Sequence, residues 1–94
     1  MKVFWLAAAL RDRDTQLEYI AAKDPLAAVT QGDRIQGQID HLAEHPNLGR
    51  EGRVSGTREL IIASTPFIAV YRVLPRAKRI ELIRLLHGAQ RWPL

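Results

Sequence analysis

Apolar positions over the last third of the chain fall into three short runs, residues 57–64, 67–73 and 79–87, rich in β-branched and aromatic side chains. Thr65-Pro66 separates the first two, and Leu74-Pro75-Arg76-Ala77-Lys78 the last two. Runs of strand length bounded by proline-containing turns predict a three-stranded antiparallel meander, because such side chains fit a pleated, half-buried surface. Residues 87–94 (His-Gly-Ala-Gln-Arg-Trp-Pro-Leu) are too polar and too broken by glycine and proline to add a strand. On the last run, strict alternation puts Ile80 and Leu82 on one face and Ile83, Leu85 and His87 on the other. Both faces are then apolar, whereas two helices cover one; a partner, a second copy or the C-terminal tail is expected on the other.

Upstream the period changes. Lys2-Val3-Phe4-Trp5-Leu6 is a short strand candidate able to pair with the meander. Leu10, Leu17, Ile20 and Ala21 recur at helical spacing, with Arg11, Asp12, Arg13, Asp14 and Glu18 on the other face, predicting a helix over 10–22. Asp24-Pro25 punctuates: aspartate caps the next helix and proline fits its first turn. A second helix is expected over 25–45, with Ala28, Ile35, Ile39 and Leu42 as its apolar stripe and Pro46 as its stop. Gly32 and Gly37 weaken it by about 1 kcal/mol each relative to alanine, or let the helices pack closely. Residues 47–56 read as a basic glycine-rich connector. The predicted order is β-α-α-β-β-β, an α+β fold with a helical hairpin on a twisted, mainly antiparallel sheet, within a single domain over 1–94.

Composition sharpens this picture. The chain is 47% hydrophobic and 26% charged, as in folded proteins. No window approaches the roughly 18 apolar residues of a membrane span, and no membrane association is expected. Residues 1–10 look superficially like a short signal peptide but run straight into a charged helix, so they are read as structure. The absence of cysteine excludes disulfides and thiolate metal sites and fits a cytoplasmic location. Eleven of the fourteen Lys/Arg are arginine, and eight of those lie between Arg50 and Arg91. A basic, arginine-rich C-terminal half suits an acidic protein or a nucleic acid, because guanidinium groups pair bidentately with carboxylate and phosphate.

Candidate chemistry is sparse. The glycines at 49, 52 and 56 neither follow a strand nor precede a Lys-Ser/Thr, so no nucleotide loop is formed. His41 and His45 have metal-sharing spacing, but the protease pattern needs glutamate directly after the first histidine and is absent; no metal and no cofactor are expected. His87 ends the last strand, with Arg58, Arg84 and Arg91 expected within reach, as a general acid or base beside phosphate-stabilising arginines would be. The competing role is structural, one ring nitrogen bonding backbone. Trp92 is either an exposed anchor or folded back onto the protein, the latter being the commoner fate.

Residues 42–60, Leu-Ala-Glu-His-Pro-Asn-Leu-Gly-Arg-Glu-Gly-Arg-Val-Ser-Gly-Thr-Arg-Glu-Leu, resemble the helix–loop–strand signature of the RelE/ParE toxin superfamily, closest to the ParE-like branch. Ala9-Leu10-Arg11-Asp12 and Glu18-Tyr19-Ile20 resemble its first helix, Val70-Tyr71-Arg72 its central strand, and residues 86–93 its C-terminal motif. The resemblance implies the toxin of a type II toxin–antitoxin pair, neutralised by a small acidic antitoxin that alone binds operator DNA. ParE-like members inhibit DNA gyrase; RelE-like members cleave messenger RNA on the ribosome. Many of those nucleases carry an arginine where Ile68 stands here, and others an aspartate where Pro66 stands. Isoleucine and proline side chains cannot stabilise a phosphoryl transition state, and a lone His87 is not a catalytic set. The expectation is therefore a non-enzymatic gyrase inhibitor, with Arg50, Arg53, Arg58, Arg84, His87, Arg91 and Trp92 meeting target or antitoxin. The alternative is a ribosome-dependent mRNA interferase using His87 with Arg58 and Arg84. Arg13 and Gln16 stand where the branch is usually apolar, so the first helix is expected to pack loosely or lean on the antitoxin.

Overall fold

In the computed structural model, which describes residues 1–88 and 90–93, the element order is β1 (Lys2–Trp5), α1 (Ala7–Lys23), α2 (Pro25–Asp40), β2 (Arg50–Glu51), β3 (Arg58–Ile61), β4 (Phe67–Leu74) and β5 (Arg79–His87). The strands form one sheet in the order β1-β5-β4-β3-β2. β3, β4 and β5 are the expected antiparallel meander, and β1 joins β5 in parallel, Val3 opposite Ile80 and Trp5 opposite Leu82. Asp24 caps α2 as expected, its carboxylate accepting from Ala27 N–H at 3.1 Å with Pro25 in the first turn. No helix among the described residues is long and apolar enough to cross a membrane.

Three details differ from the sequence pattern. The 47–56 connector contains β2, pairing Arg50 with Glu59 and Glu51 with Arg58. Two polar residues carry no alternating signal, so this edge strand is invisible to a hydrophobic count. Glycine is required beside it: a Cβ on Gly49 would stand 2.8 Å from the Tyr71 ring and 2.9 Å from the Glu59 carbonyl, and one on Gly52 would collide with Thr57. α2 ends at Asp40 rather than His45; a 3₁₀ turn over His41–Ala43 follows, placing Leu42 fully in the core beside Ile39. Neither α2 glycine is needed for helix packing: a Cβ at Gly32 would meet Leu17 at an ordinary 3.5 Å, and one at Gly37 meets nothing within 4 Å.

The third difference corrects the doubly apolar strand. Val70 pairs with Arg84 and Tyr71 with Leu82, which leaves Ile83 as an extra residue, a β-bulge. The bulge shifts the alternation by one, so Leu85 joins Ile80 and Leu82 in the helix-covered core with Ile62, Phe67, Ala69, Tyr71, Ile35 and Ile39. The opposite face of β5 then carries Glu81, Arg84 and Leu86 and is largely polar.

Gln16 also acquires a role. β1 ends at Trp5, so β5 beyond Leu82 has no strand on that side. There Asp12 accepts from Leu85 N–H at 2.9 Å and Gln16 donates to the Leu85 carbonyl at 3.3 Å. On the far side of the sheet Gln38 of α2 does the same for Ala63, accepting from its N–H at 2.6 Å and donating to its carbonyl at 3.0 Å. Helix side chains thus satisfy backbone groups where neighbouring strands run out. Polar Gln16 reflects that contact, and Arg13 lies over the Trp5 ring at 5.1 Å.

Candidate functional site

Side chains directly opposed in register share a face, so the pairing assigns the face turned away from the helices. It carries Lys2, Phe4, Arg79 and Glu81 at one end, Arg72, Val70, Arg84, Glu59 and Arg50 across the middle, and Ile68, Ile61 and Leu86 at the other end. Two buried carboxylates organise its arginines. Glu59, 1% exposed, accepts from Arg50 at 3.3 Å, from Arg53 Nε at 3.1 Å and from the Arg53 backbone N–H at 2.8 Å. Burial pushes its pKa up, but the Arg53 and Arg50 hydrogen bonds together outweigh this and hold it below the ordinary 4.5. Glu81 is gripped by Arg72 at 2.6 Å and Arg79 at 2.9 Å, and the Arg79 guanidinium lies 3.9 Å over the Phe4 ring.

Arg84 belongs to a third ion pair, donating to both oxygens of Asp12 at 2.7 and 3.1 Å. The Asp12 hydrogen bond raises its pKa further, against the opposing effect of burial. The Trp92 ring sits 5.7 Å from that guanidinium and is half-buried, so this part of the tail folds back over the sheet. Ala89 and Leu94, within the tail singled out from the sequence, lie outside the described residues. Arg91 is exposed.

Arg58 is elsewhere. It lies opposite Tyr71 on the helix side and donates to the Gly49 carbonyl at 2.7 Å. Tyr71 completes this corner: its buried hydroxyl accepts from Gly49 N–H at 2.8 Å and donates to the Pro46 carbonyl at 2.7 Å. Burial raises the Tyr71 pKa, with the Gly49 N–H and the Arg58 charge acting in the other direction. His87, exposed at the end of β5, meets Phe67 edge to face at 6.1 Å, and its backbone N–H donates to Gln90 at 3.3 Å.

The expectation that Arg58 stands within reach of His87 is corrected by the register. Arg58 is paired with Tyr71 and His87 with Phe67, four residues apart along β4 and on strands either side of it. Strand rise and spacing put their backbones roughly 16 Å apart. Arg84 is committed to Asp12, so His87, Arg58 and Arg84 do not converge on one phosphate position. A cleft of about 380 Å³ beside the β2–β3 loop is lined by Glu51, Gly52, Ser55, Thr57 and Arg58, and the Thr57 hydroxyl there donates to the Val54 carbonyl at 2.6 Å. His41 and His45 are exposed, and among the described residues no group of three His, Asp or Glu could hold a metal ion. Sequence inspection missed Glu59, Glu81, Arg72 and Arg79; the available signal was the single acidic residue inside each of two apolar-rich strands, β3 and β5.

Three comparisons place this geometry among known proteins. The family model described as the ParE toxin of the type II toxin–antitoxin system parDE matches residues 3–92. A curated protein of Sinorhizobium fredii (strain NBRC 101917 / NGR234), "Putative toxin Y4kP", is 39% identical over 92 residues, covering 98% of this chain and 93% of its own. The solved structure titled "Chromosomal ParDE TA system from P. aeruginosa" superposes with a TM-score of 0.82 at 27% identity, covering 93% of this chain and 95% of that one. The resemblance in residues 42–60 and the order of elements are therefore those of a relative along nearly the whole chain. With two helices on a five-stranded mixed sheet and this match, the chain belongs to the ParE toxin family of type II toxin–antitoxin systems.

Proposed function

We propose that this ParE-type toxin arrests growth from the cytoplasm by binding DNA gyrase, without cofactor or covalent chemistry, and that a cognate acidic antitoxin neutralises it. Sequence-specific operator recognition is assigned to the antitoxin. The observation that carries the proposal is the dispersal of His87, Arg58 and Arg84, with Ile68 and Pro66 on and before β4. Phosphodiester cleavage needs base, acid and phosphate stabilisation together, and a contact inhibitor needs only a surface. That surface is the arginine-rich sheet face with Arg50, Arg53 and Arg84 and the tail with Arg91 and Trp92. His87, opposite Phe67, and Arg58, opposite Tyr71, lie towards the helix side and would be met by a partner that reaches round the sheet. Residues 50–94 hold nine Lys/Arg against three Asp/Glu, which favours an acidic partner.

The test compares two assays on the same purified protein. Supercoiling by gyrase is expected to fall with added toxin and to recover on addition of the antitoxin, while message translated on ribosomes stays intact. Full supercoiling at saturating toxin, together with codon-positioned cuts lost in His87→Ala, would replace this function with the interferase one.

A further inference from the structure

We propose that the helix-free sheet face also binds duplex DNA directly, through the sugar-phosphate backbone and without base readout. The inference rests on the gyrase function above, since it makes the DNA held by the enzyme a second partner of the toxin. Its centre is not the tail but the opposite end of the sheet. Lys2 pairs with Arg79, Arg72 with Glu81 and Leu74 with Arg79, and the turn Pro75–Ala77 adds exposed Arg76, followed by exposed Lys78. Five cations therefore gather at this end of the sheet, and two of them, Arg72 and Arg79, are paired with its carboxylate, Glu81. The face continues across β4 to Arg50 and Arg53 around Glu59.

Each carboxylate fixes two guanidinium groups without using them up. Arginine has five N–H donors, and the side chains of Arg50, Arg53, Arg72 and Arg79 remain 56%, 42%, 47% and 34% exposed. Guanidinium groups already held in place lose little freedom on meeting phosphate. Strand spacing and register put Glu59 and Glu81 roughly 12 Å apart, comparable to a duplex major groove of about 12 Å. A single strand would want exposed aromatic faces for its bases. The exposed aromatic here, Phe4, already has its ring covered by Arg79. Phosphates find many donors at this end of the face, whereas a base finds one ring already stacked on a guanidinium.

Fluorescence anisotropy of a 20-base-pair duplex of arbitrary sequence, titrated with the purified toxin, tests this. Affinity is expected to fall by roughly 10²–10³-fold between 50 and 200 mM salt, as four to six phosphate contacts require. Arg72→Gln/Arg79→Gln should lose about tenfold and about two units of salt slope. Because those arginines hold Glu81, Lys2→Ala/Arg76→Ala, exposed side chains in no ion pair of the described residues, is the second variant and should behave alike. Arg11→Ala/Lys23→Ala removes the same charge from the helical layer and should change affinity less than about threefold. No duplex binding at 50 mM salt, equal losses in all three double variants, or tighter binding to the single strand would overturn the proposal. Gyrase inhibition without duplex binding removes this inference alone; duplex binding without inhibition removes the gyrase function alone.

Discussion

The two faces of the sheet solve the burial of their side chains in different ways. Towards the helices, Ile62, Phe67, Ala69, Tyr71, Ile80, Leu82 and Leu85 form a dry layer, and the Tyr71 hydroxyl in it is bonded twice. Away from the helices, Val70 and Leu86 are also buried, but they share the face with Glu59 and Glu81, each held by two arginines. Long arginine stems lie along apolar surface while their heads stay wet, so this face is covered without being hidden. One face is kept by hydrophobic burial, insensitive to salt and pH; the other by charge, sensitive to both.

The largest effect should come from the first face. Leu82→Ala removes a fully buried side chain and is expected to cost about 3 kcal/mol in urea unfolding, with the loss unchanged between 0.1 and 1 M salt in order of magnitude. Next, Glu59→Gln should cost about 2 kcal/mol at neutral pH, because it discharges a buried acceptor of three hydrogen bonds. Its folded pKa lies below the ordinary 4.5, so its stabilisation is complete above that value and is lost as pH falls through the folded pKa. The gap between Glu59→Gln and the parent should therefore close in acid; a gap that persists there would show that packing, not charge, holds this face.

Tyr71→Phe probes the polar atom of the dry face. It leaves the Gly49 N–H and the Pro46 carbonyl without their partner and should cost about 1.5 kcal/mol, measured as a shift in the urea midpoint. An unchanged midpoint would mean that water replaces the hydroxyl and that the corner is less dry than its burial indicates. The smallest effect is assigned to Gln16→Leu, about 0.5–1 kcal/mol, from loss of the bond to Leu85. A stabilised variant would restore the view that α1 simply lacks an apolar residue there.

How much of this was legible follows the same division. The meander, the two helices and the Asp24 cap were readable because strand and helix periods and capping chemistry are local. The bulge at Ile83 was not, since an extra residue in one strand shows only against its partner, and it reversed the assignment of Leu85. At the site, arginine abundance was visible from composition, but not which carboxylate each arginine meets. Arg50 and Arg53 find Glu59 only because β2 folds back on β3, and Arg72 finds Glu81 across β4 and β5, while Arg79 meets it from two residues away on β5 itself. His87 and Arg58 looked like neighbours in a list of basic residues and are separated by strand register.

The side chains that close β5 at Leu85 and the chain just past β3 at Ala63 bear on how this protein behaves when crowded. An open strand edge is a template for a second molecule, and continued pairing leads to aggregates. At Leu85 and at Ala63 both outward backbone groups already have partners, in Asp12 with Gln16 and in Gln38. Two short polar contacts from the helices therefore act as stoppers against sheet-to-sheet polymerisation. Their removal would endanger solubility well before it endangered the fold.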